Sequence, residues 1–289
     1  MKNKTQQQGA VLVSALLIMA LSAMLSVLLL LSQRLLIRQA SLMIHADQMY
    51  LYLQGVQAWA NQIIVHQADL QQTPSLDKKL HGMSVTGKLY AQEGLFNINA
   101  LARKENFPRF VRLLQVVQPD LPIKRALDIA SEINQWLLPS DVDNYYLHLH
   151  LPYRAAHQMI VNVSELRSIR GMTSAIFTAL KPYLTALPDT SFNIDINYAP
   201  VPVLMTLTDQ VTLAQAQAWF LCRKEHGRFQ TIADYLQICG ANALKNSQEI
   251  TTEEHYYLLY SCVTYGEQRL TLVSMMSPNV IIWQEMNPD

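Results

Sequence analysis

Charge is scarce in this sequence, and over one stretch it is missing. Only 15% of the 289 residues are Asp, Glu, Lys or Arg, against roughly 25% in a typical soluble domain. Basic and acidic residues balance at 22 each, which argues against a chain that lives on nucleic acid, since such chains carry a basic face. Cysteine is also scarce. Cys222, Cys239 and Cys262 stand late in the chain, with no Cys-x-x-Cys spacing and no Cys/His cluster, so nothing supports cysteine-based metal ligation. An exported chain could close one disulfide among them, with three pairings open; buried free thiols are the other reading. The motifs of serine hydrolases, zinc proteases and phosphate-binding loops are missing. The chain reads as non-enzymatic.

The N-terminus holds the strongest signal. Residues 1–9 are polar, with Lys2 and Lys4, and end in Gly9; from Ala10 to Leu31 there are 22 positions without a charge. About 20 suffice to cross a bilayer as a helix, the only single-segment structure that satisfies its own backbone in lipid. The leading lysines favour a cytoplasmic N-terminus, with Arg34 and Arg38 on the far side weakening the asymmetry. A secretory signal peptide has a shorter apolar run, about 7–15 residues; Ala20 and Ser22 mimic its cleavage site, but the run continues through Leu31.

The basic leader ending in glycine before an apolar helix resembles the type IV prepilin signal. The resemblance implies a leader over 1–9, cleavage between Gly9 and Ala10 by a prepilin peptidase, methylation of Ala10, and a transmembrane helix over 10–32. Most pilin-like subunits carry glutamate at the fifth mature residue; here it is Ser14. A carboxylate in lipid is costly unless paired, so a subunit without one suits a special position such as a fibre tip. Beyond the membrane, Leu42, Ala46, Met49, Leu53, Val56, Ala60 and Ile63 form one apolar stripe, which predicts that the helix continues over 33–66 and lies on its own head. Gln48, Gln54, Gln57 and Asn61 fall on the polar side. Gln67 to Leu76, with Pro74, reads as a linker.

In the body, residues 80–100 read as two or three short strands broken by Gly82, Gly87 and Gly94. Helices are predicted over Phe107–Val117, Ala126–Leu138, Val163–Ile169 and Thr173–Leu184, with a second helical stretch over about 200–244. Strands return over His255–Tyr265, Arg269–Met276 and Asn279–Glu285, the first two joined by a Gly266-Glu267 turn. Strands, a helical block and strands again predict an α+β head with an inserted helical domain.

Five blocks then make the resemblance specific: GLFNINAL (94–101), LPYRAAHQMIVNVSELRSIRGM (151–172), LKPYLTALPD (180–189), FNIDINYAPVPVLMTL (192–207) and GRFQTIADYL (227–236). In this order and spacing, together with the missing glutamate, they resemble the minor pseudopilin K family of type II secretion systems. The resemblance implies a long N-terminal helix, a small antiparallel pseudopilin sheet formed by 77–100 and 246–289, and a large inserted helical domain over 101–245 with helix-hairpin-helix elements. It also implies a single-pass protein of the bacterial inner membrane, periplasmic in bulk, at the tip of the pseudopilus. There it would join minor pseudopilins I and J and other pseudopilus subunits, help start assembly and limit fibre length. The family binds calcium in an acidic, glycine-containing loop. This chain has Asp128, Glu132, Asp141, Asp143 and Asn144 there, lacks the glycines, and has Gln135 and Leu138 where acids are common; Asp141, Asp143 and Asn144 are the candidate calcium ligands.

Two segments, Leu166–Gly171 and Leu236–Gly240, look like helix-hairpin-helix turns, whose amides can hold a DNA phosphate. A membrane-tethered DNA-uptake factor is therefore the alternative function, and it requires a basic surface around Arg167, Arg170, Arg223, Lys224 and Arg228. A minor pilin of a type IV pilus is a third reading, in which the helical insert would be absent. His148 and His150, beside Tyr145, Tyr146 and Tyr153, read as a polar loop on an aromatic base.

Overall fold

The computed structural model describes residues 4–66, 73–138, 145–244 and 249–287. Its first element is α1 (Lys4–His66), a single helix of 63 residues, about 95 Å long at 1.5 Å per residue. Strands β1 (Ser75–Leu80) and β2 (Met83–Ala91) follow. The chain then builds a mostly helical body from β3 (Phe96–Asn97), α2 (Phe107–Val117), α3 (Ile123–Leu137), α4 (Ser174–Leu180), β4 (Leu184–Thr185), β5 (Ile194–Asp195), α5 (Val201–Leu204), α6 (Leu213–His226), α7 (Ile232–Ile238) and β6 (Ile250–Thr251). It closes with β7 (Tyr257–Tyr265), β8 (Gln268–Ser277) and β9 (Val280–Asn287).

Five strands form one antiparallel sheet in the order β1-β2-β7-β8-β9. Ala91 and Tyr257 face each other in the β2–β7 register. The chain therefore leaves the sheet and returns to it at one rung, and everything between hangs from that rung. The alternation of strand side chains sends Met83, Val85 and Leu89 of β2, and Tyr257, Leu259 and Val263 of β7, to one face. Helix α1 lies on that face through Met49, Leu53, Val56, Ala60 and Ile64. At the edges, Tyr52 Oη meets His81 Nδ1 at 2.7 Å in the β1–β2 turn. Asn61 exchanges two hydrogen bonds with Asn279 in the β8–β9 turn, at 2.9 and 3.1 Å.

The inserted body has its own core, running from Phe96 to Ile250. Two parallel strand pairs, β3–β4 and β5–β6, bring distant parts of it together. The α+β class, long apolar helix and antiparallel sheet match the expectation from sequence.

Several local expectations are corrected. Leu42 and Ala46 are exposed, so the packed stripe begins at Met49; at its far end Ile63 is half-buried against the core and Ile64 is buried. Gln57, expected on the polar side, is buried and donates to Ser274 Oγ at 2.8 Å and Gln284 Oε1 at 3.1 Å. Gly87 does not break a strand: it sits inside β2, where α1 approaches so closely that a Cβ would stand 2.5 Å from Val56 Cγ1. Val163–Ser168 forms a 3-10 rather than an α-helix, and the Thr173–Leu184 segment is helical only to Tyr183, with Leu184 in β4. Of the expected linker, Ser75 and Leu76 belong to β1, and 67–72 lie outside the described residues.

Candidate functional site

The Gly9–Ala10 bond lies within the helical span of α1. Residues 11–31 present their side chains outward, with none of this window buried in the protein, as a lipid-facing helix requires. Ser14 Oγ donates to the Val11 carbonyl at 2.9 Å. A hydroxyl satisfied within its own helix is tolerated in lipid without a partner chain, unlike a carboxylate.

Asp141, Asp143 and Asn144 lie outside the described residues. Among the described residues no three His, Cys, Asp or Glu side chains gather to hold a metal. Asp128 is exposed on α3, and Glu132, one turn on, lies 3.6 Å from Arg170. His148 ends a 3-10 turn above an aromatic cluster in which buried Tyr146 meets Trp136, Tyr145 and Tyr153 at ring separations of 5.2–5.3 Å.

Gly171 and Gly240 both adopt positive φ, +83° and +63°, as a tight reversal needs. The elements beside them are unequal: a 3-10 turn precedes the first, and a 3-10 turn over Asn242–Leu244 follows the second. The four arginines around them each have a partner within the head. Arg167 stacks on Phe177 at 4.5 Å and Arg170 on Tyr145 at 4.4 Å. Arg223 donates to the Ile196 and Ala199 carbonyls at 2.6 and 2.8 Å, and Arg228 pairs with Glu254 at 3.1 Å. Of the five, Arg167, Arg170 and Lys224 are exposed, while Arg223 and Arg228 are half-buried. Arg223 and Arg228 are thereby withdrawn from the basic surface that DNA binding would require.

What the structure does gather is a buried polar seam between sheet and insert. Glu93 follows β2, Glu254 precedes β7 and Asp195 ends β5; they are 7%, 9% and 0% exposed. Burial pushes the Glu93 carboxyl up, against hydrogen bonds from the His255 and Tyr256 amides. Burial and the adjacent Glu254 hold Asp195 well above the usual carboxylate range. Glu254 is raised by burial, with Arg228 opposing. The phenols of Tyr198 and Tyr257 are raised by the same burial. Partners this far apart in the chain left no periodic trace in the sequence, and the sequence reading missed them.

The sequence blocks named above have a common task. Asn99 donates to the Ile160 and Leu187 carbonyls at 2.9 and 2.7 Å and accepts from the Ile160 amide at 2.8 Å. Asn97 donates to the Asp189 carbonyl at 2.9 Å and accepts from the Leu187 amide at 3.1 Å. Asn197 donates to the Phe229 carbonyl at 3.0 Å and accepts from its amide at 2.8 Å. Each buried asparagine satisfies the backbone of a distant block. A disulfide joins Cys222 of α6 to Cys239 beyond α7, and Cys262, half-buried on β7, is free.

Residues 94–189 match the family model described as type II secretion system, protein K. The chain is 30% identical over 168 residues to the type II secretion system protein K of Pectobacterium carotovorum, covering half of each. It is 27% identical to the protein of that name from Pseudomonas aeruginosa over 93% of this chain and 88% of the relative. The first alignment spans about half the length of its relative and the second nearly all. Its fold matches a chain of the GspK-GspI-GspJ complex from the enterotoxigenic Escherichia coli type 2 secretion system, with TM-score 0.70 and 20% identity, over 85% of this chain and 98% of that one. The blocks stitched by Asn97 and Asn99 lie within the matched span, and the chain is similar over most of its length to type II secretion system protein K.

Proposed function

We propose that this chain is a minor pseudopilin at the tip of the periplasmic pseudopilus of a type II secretion system, where it helps initiate assembly and limits fibre length. The observation that carries this reading is α1. Its first half is an exposed apolar rod, and its second half is the core of the head's sheet. Anchor and head are one rigid element, so the helix can pass from lipid to a bundle of neighbouring helices without refolding the head.

On this reading a prepilin peptidase cuts between Gly9 and Ala10, and Ala10 is methylated. The helix crosses the inner membrane once, with Lys2 and Lys4 on the cytoplasmic side. The Cys222–Cys239 disulfide supports a head outside the cytoplasm, where disulfides persist. Ser14, content with its own backbone, supports a place where no carboxylate of this chain need pair with an adjacent subunit's N-terminal amine. The related complex contains proteins named I and J, and we assign minor pseudopilins I and J as this chain's partners. The role is structural rather than catalytic: the strongest polar cluster is closed inside the junction of sheet and insert.

The test is reconstitution of the full chain, in detergent, with the I and J pseudopilins of the same host. A stable ternary complex on size exclusion is expected. Elution of the chain alone, under conditions where I and J still pair, would contradict the assignment.

A further inference from the structure

The insert is tied to the sheet by two crossings, residues 92–95 leaving β2 and residues 252–256 entering β7. A buried carboxylate stands on each, Glu93 and Glu254, and Asp195 meets them from the insert. Glu93 is well supplied with donors: the His255 amide at 2.8 and 3.0 Å to its two oxygens, the Tyr256 amide at 3.1 Å and the His255 ring at 3.2 Å. Glu254 has Arg228 at 3.1 Å and Tyr257 Oη at 3.3 Å.

Asp195 has fewer donors, although Glu254 Oε1, beside Arg228, likewise accepts no hydrogen bond. Asp195 Oδ1 accepts from the Asn197 amide at 2.8 Å, but its Oδ2 is buried and receives nothing from any N–H or hydroxyl. Its side-chain contact is with the Glu254 carboxyl. Two carboxylates in hydrogen-bonding contact repel unless one carries a proton. The other charged and titratable groups facing the pair act on one carboxyl or the other, and none donates to Asp195 Oδ2. From α6, Arg223 is committed to the Ile196 and Ala199 carbonyls. From the α6–α7 turn, Arg228 serves Glu254. The sheet side presents Glu93, His255 and Tyr257, and the turn after β5 presents Tyr198.

We propose that Asp195 and Glu254 hold one proton between them, and that this shared proton fastens the insert to the sheet, so that its loss loosens the joint. In an unfolded chain both carboxyls ionise near about pH 4. In the fold the pair ionises higher, so the stability it contributes is full below that range and is lost as the pH rises through the folded pair's own titration. The head then responds to the alkalinity of its compartment by freeing the insert while the α1–sheet core stays packed.

The experiment uses the full chain in detergent micelles, as wild type and as Asp195→Asn. An asparagine can donate its N–H to the Glu254 carboxylate and does not titrate. Infrared difference spectra from about pH 5 to about pH 9 should show a protonated-carboxyl C=O band in the wild type that persists above the ordinary carboxylate range. That band should be absent in the variant. Amide exchange at 92–95 and 252–256, corrected for its intrinsic pH dependence, should lose protection by up to about tenfold per pH unit across the wild-type titration. In Asp195→Asn it should stay flat. Absence of the band in the wild type, or an unchanged pH response in the variant, would overturn the proposal. Should Asp195→Asn fail to fold, Glu254→Gln makes the same prediction, and should both fail, the band recorded in Glu93→Gln, which removes the other raised carboxyl, decides alone.

Discussion

At Gly87 the long helix lies close against the sheet. A Cβ there would stand 2.5 Å from Val56 Cγ1, 3.4 Å from the Trp59 ring and 3.7 Å from Leu76 Cβ. Val56 is 1% exposed, and a β-branched side chain in a helix has one strongly preferred rotamer, so it cannot swing aside cheaply. Overfilling a packed core costs about 1–3 kcal/mol, while replacing a strand glycine returns about 0.5–1 kcal/mol. Gly87→Ala is therefore expected to destabilise the head by about 1–2 kcal/mol, a fall in Tm of about 2–6 °C. Thermal unfolding of the full chain in detergent, followed by near-UV circular dichroism, reads this directly. Val56→Ala alone should cost about 2 kcal/mol. In the double variant the new methyl occupies part of the space vacated, so the combined loss should fall short of the sum by about 1 kcal/mol. Strictly additive losses, or a Gly87→Ala protein that melts higher than wild type, would refute the packing argument.

Gly94 faces backbone rather than a side chain: a Cβ there would lie 2.6 Å from Tyr198 C and 2.8 Å from Ala199 N. Gly94→Ala should therefore destabilise by about 3 kcal/mol, the upper end of overpacking costs, and an equal or smaller effect than Gly87→Ala in the same melts would contradict this. Cys222 and Cys239 lie 17 residues apart, a loop whose closure is worth about 3 kcal/mol. Reduction, or the Cys222→Ser/Cys239→Ser pair, should lower the urea midpoint of the insert, and an unchanged midpoint would count against the bridge. Gln57→Leu removes the donor to Ser274 and Gln284 and should cost about 1–3 kcal/mol through the buried groups left unpaired. A neutral effect in equilibrium unfolding would mean that those contacts carry no stability.

Local pattern was readable where one period governs. β7 shows alternation up to the turn at Gly266, φ +58°, whereas β8 is buried on both faces over Leu272–Met276, and Phe107–Val117 was read to its end residues because its apolar positions fall on one helical face. The stripe on α1 was legible in type but shifted at its start. Leu42 and Ala46 follow the spacing yet have no sheet beneath them, and Gln57 is polar in composition but buried by its bonds to β8 and β9. Gly87 was misread because glycine marks both a break and a close approach, and only the helix across from it distinguishes the two. The pairing of Cys222 with Cys239 and the meeting of Glu93, Asp195 and Glu254 depend on tertiary folding, which leaves no periodic signal. The asparagine-centred blocks were visible as words, but their shared reason, bonding to the backbone of a remote block, appears only in the fold.

The most direct test of the proposed role is the intact mass and N-terminal sequence of the protein recovered from host membranes. A mature chain starting at Ala10, one methyl group heavier than the unmodified peptide, is the predicted result, and it would mark the long helix as one handled by the fibre-assembly machinery. A chain that keeps Met1, or one that starts near Met24 as after ordinary signal-peptide cleavage, would contradict membership of a pseudopilus.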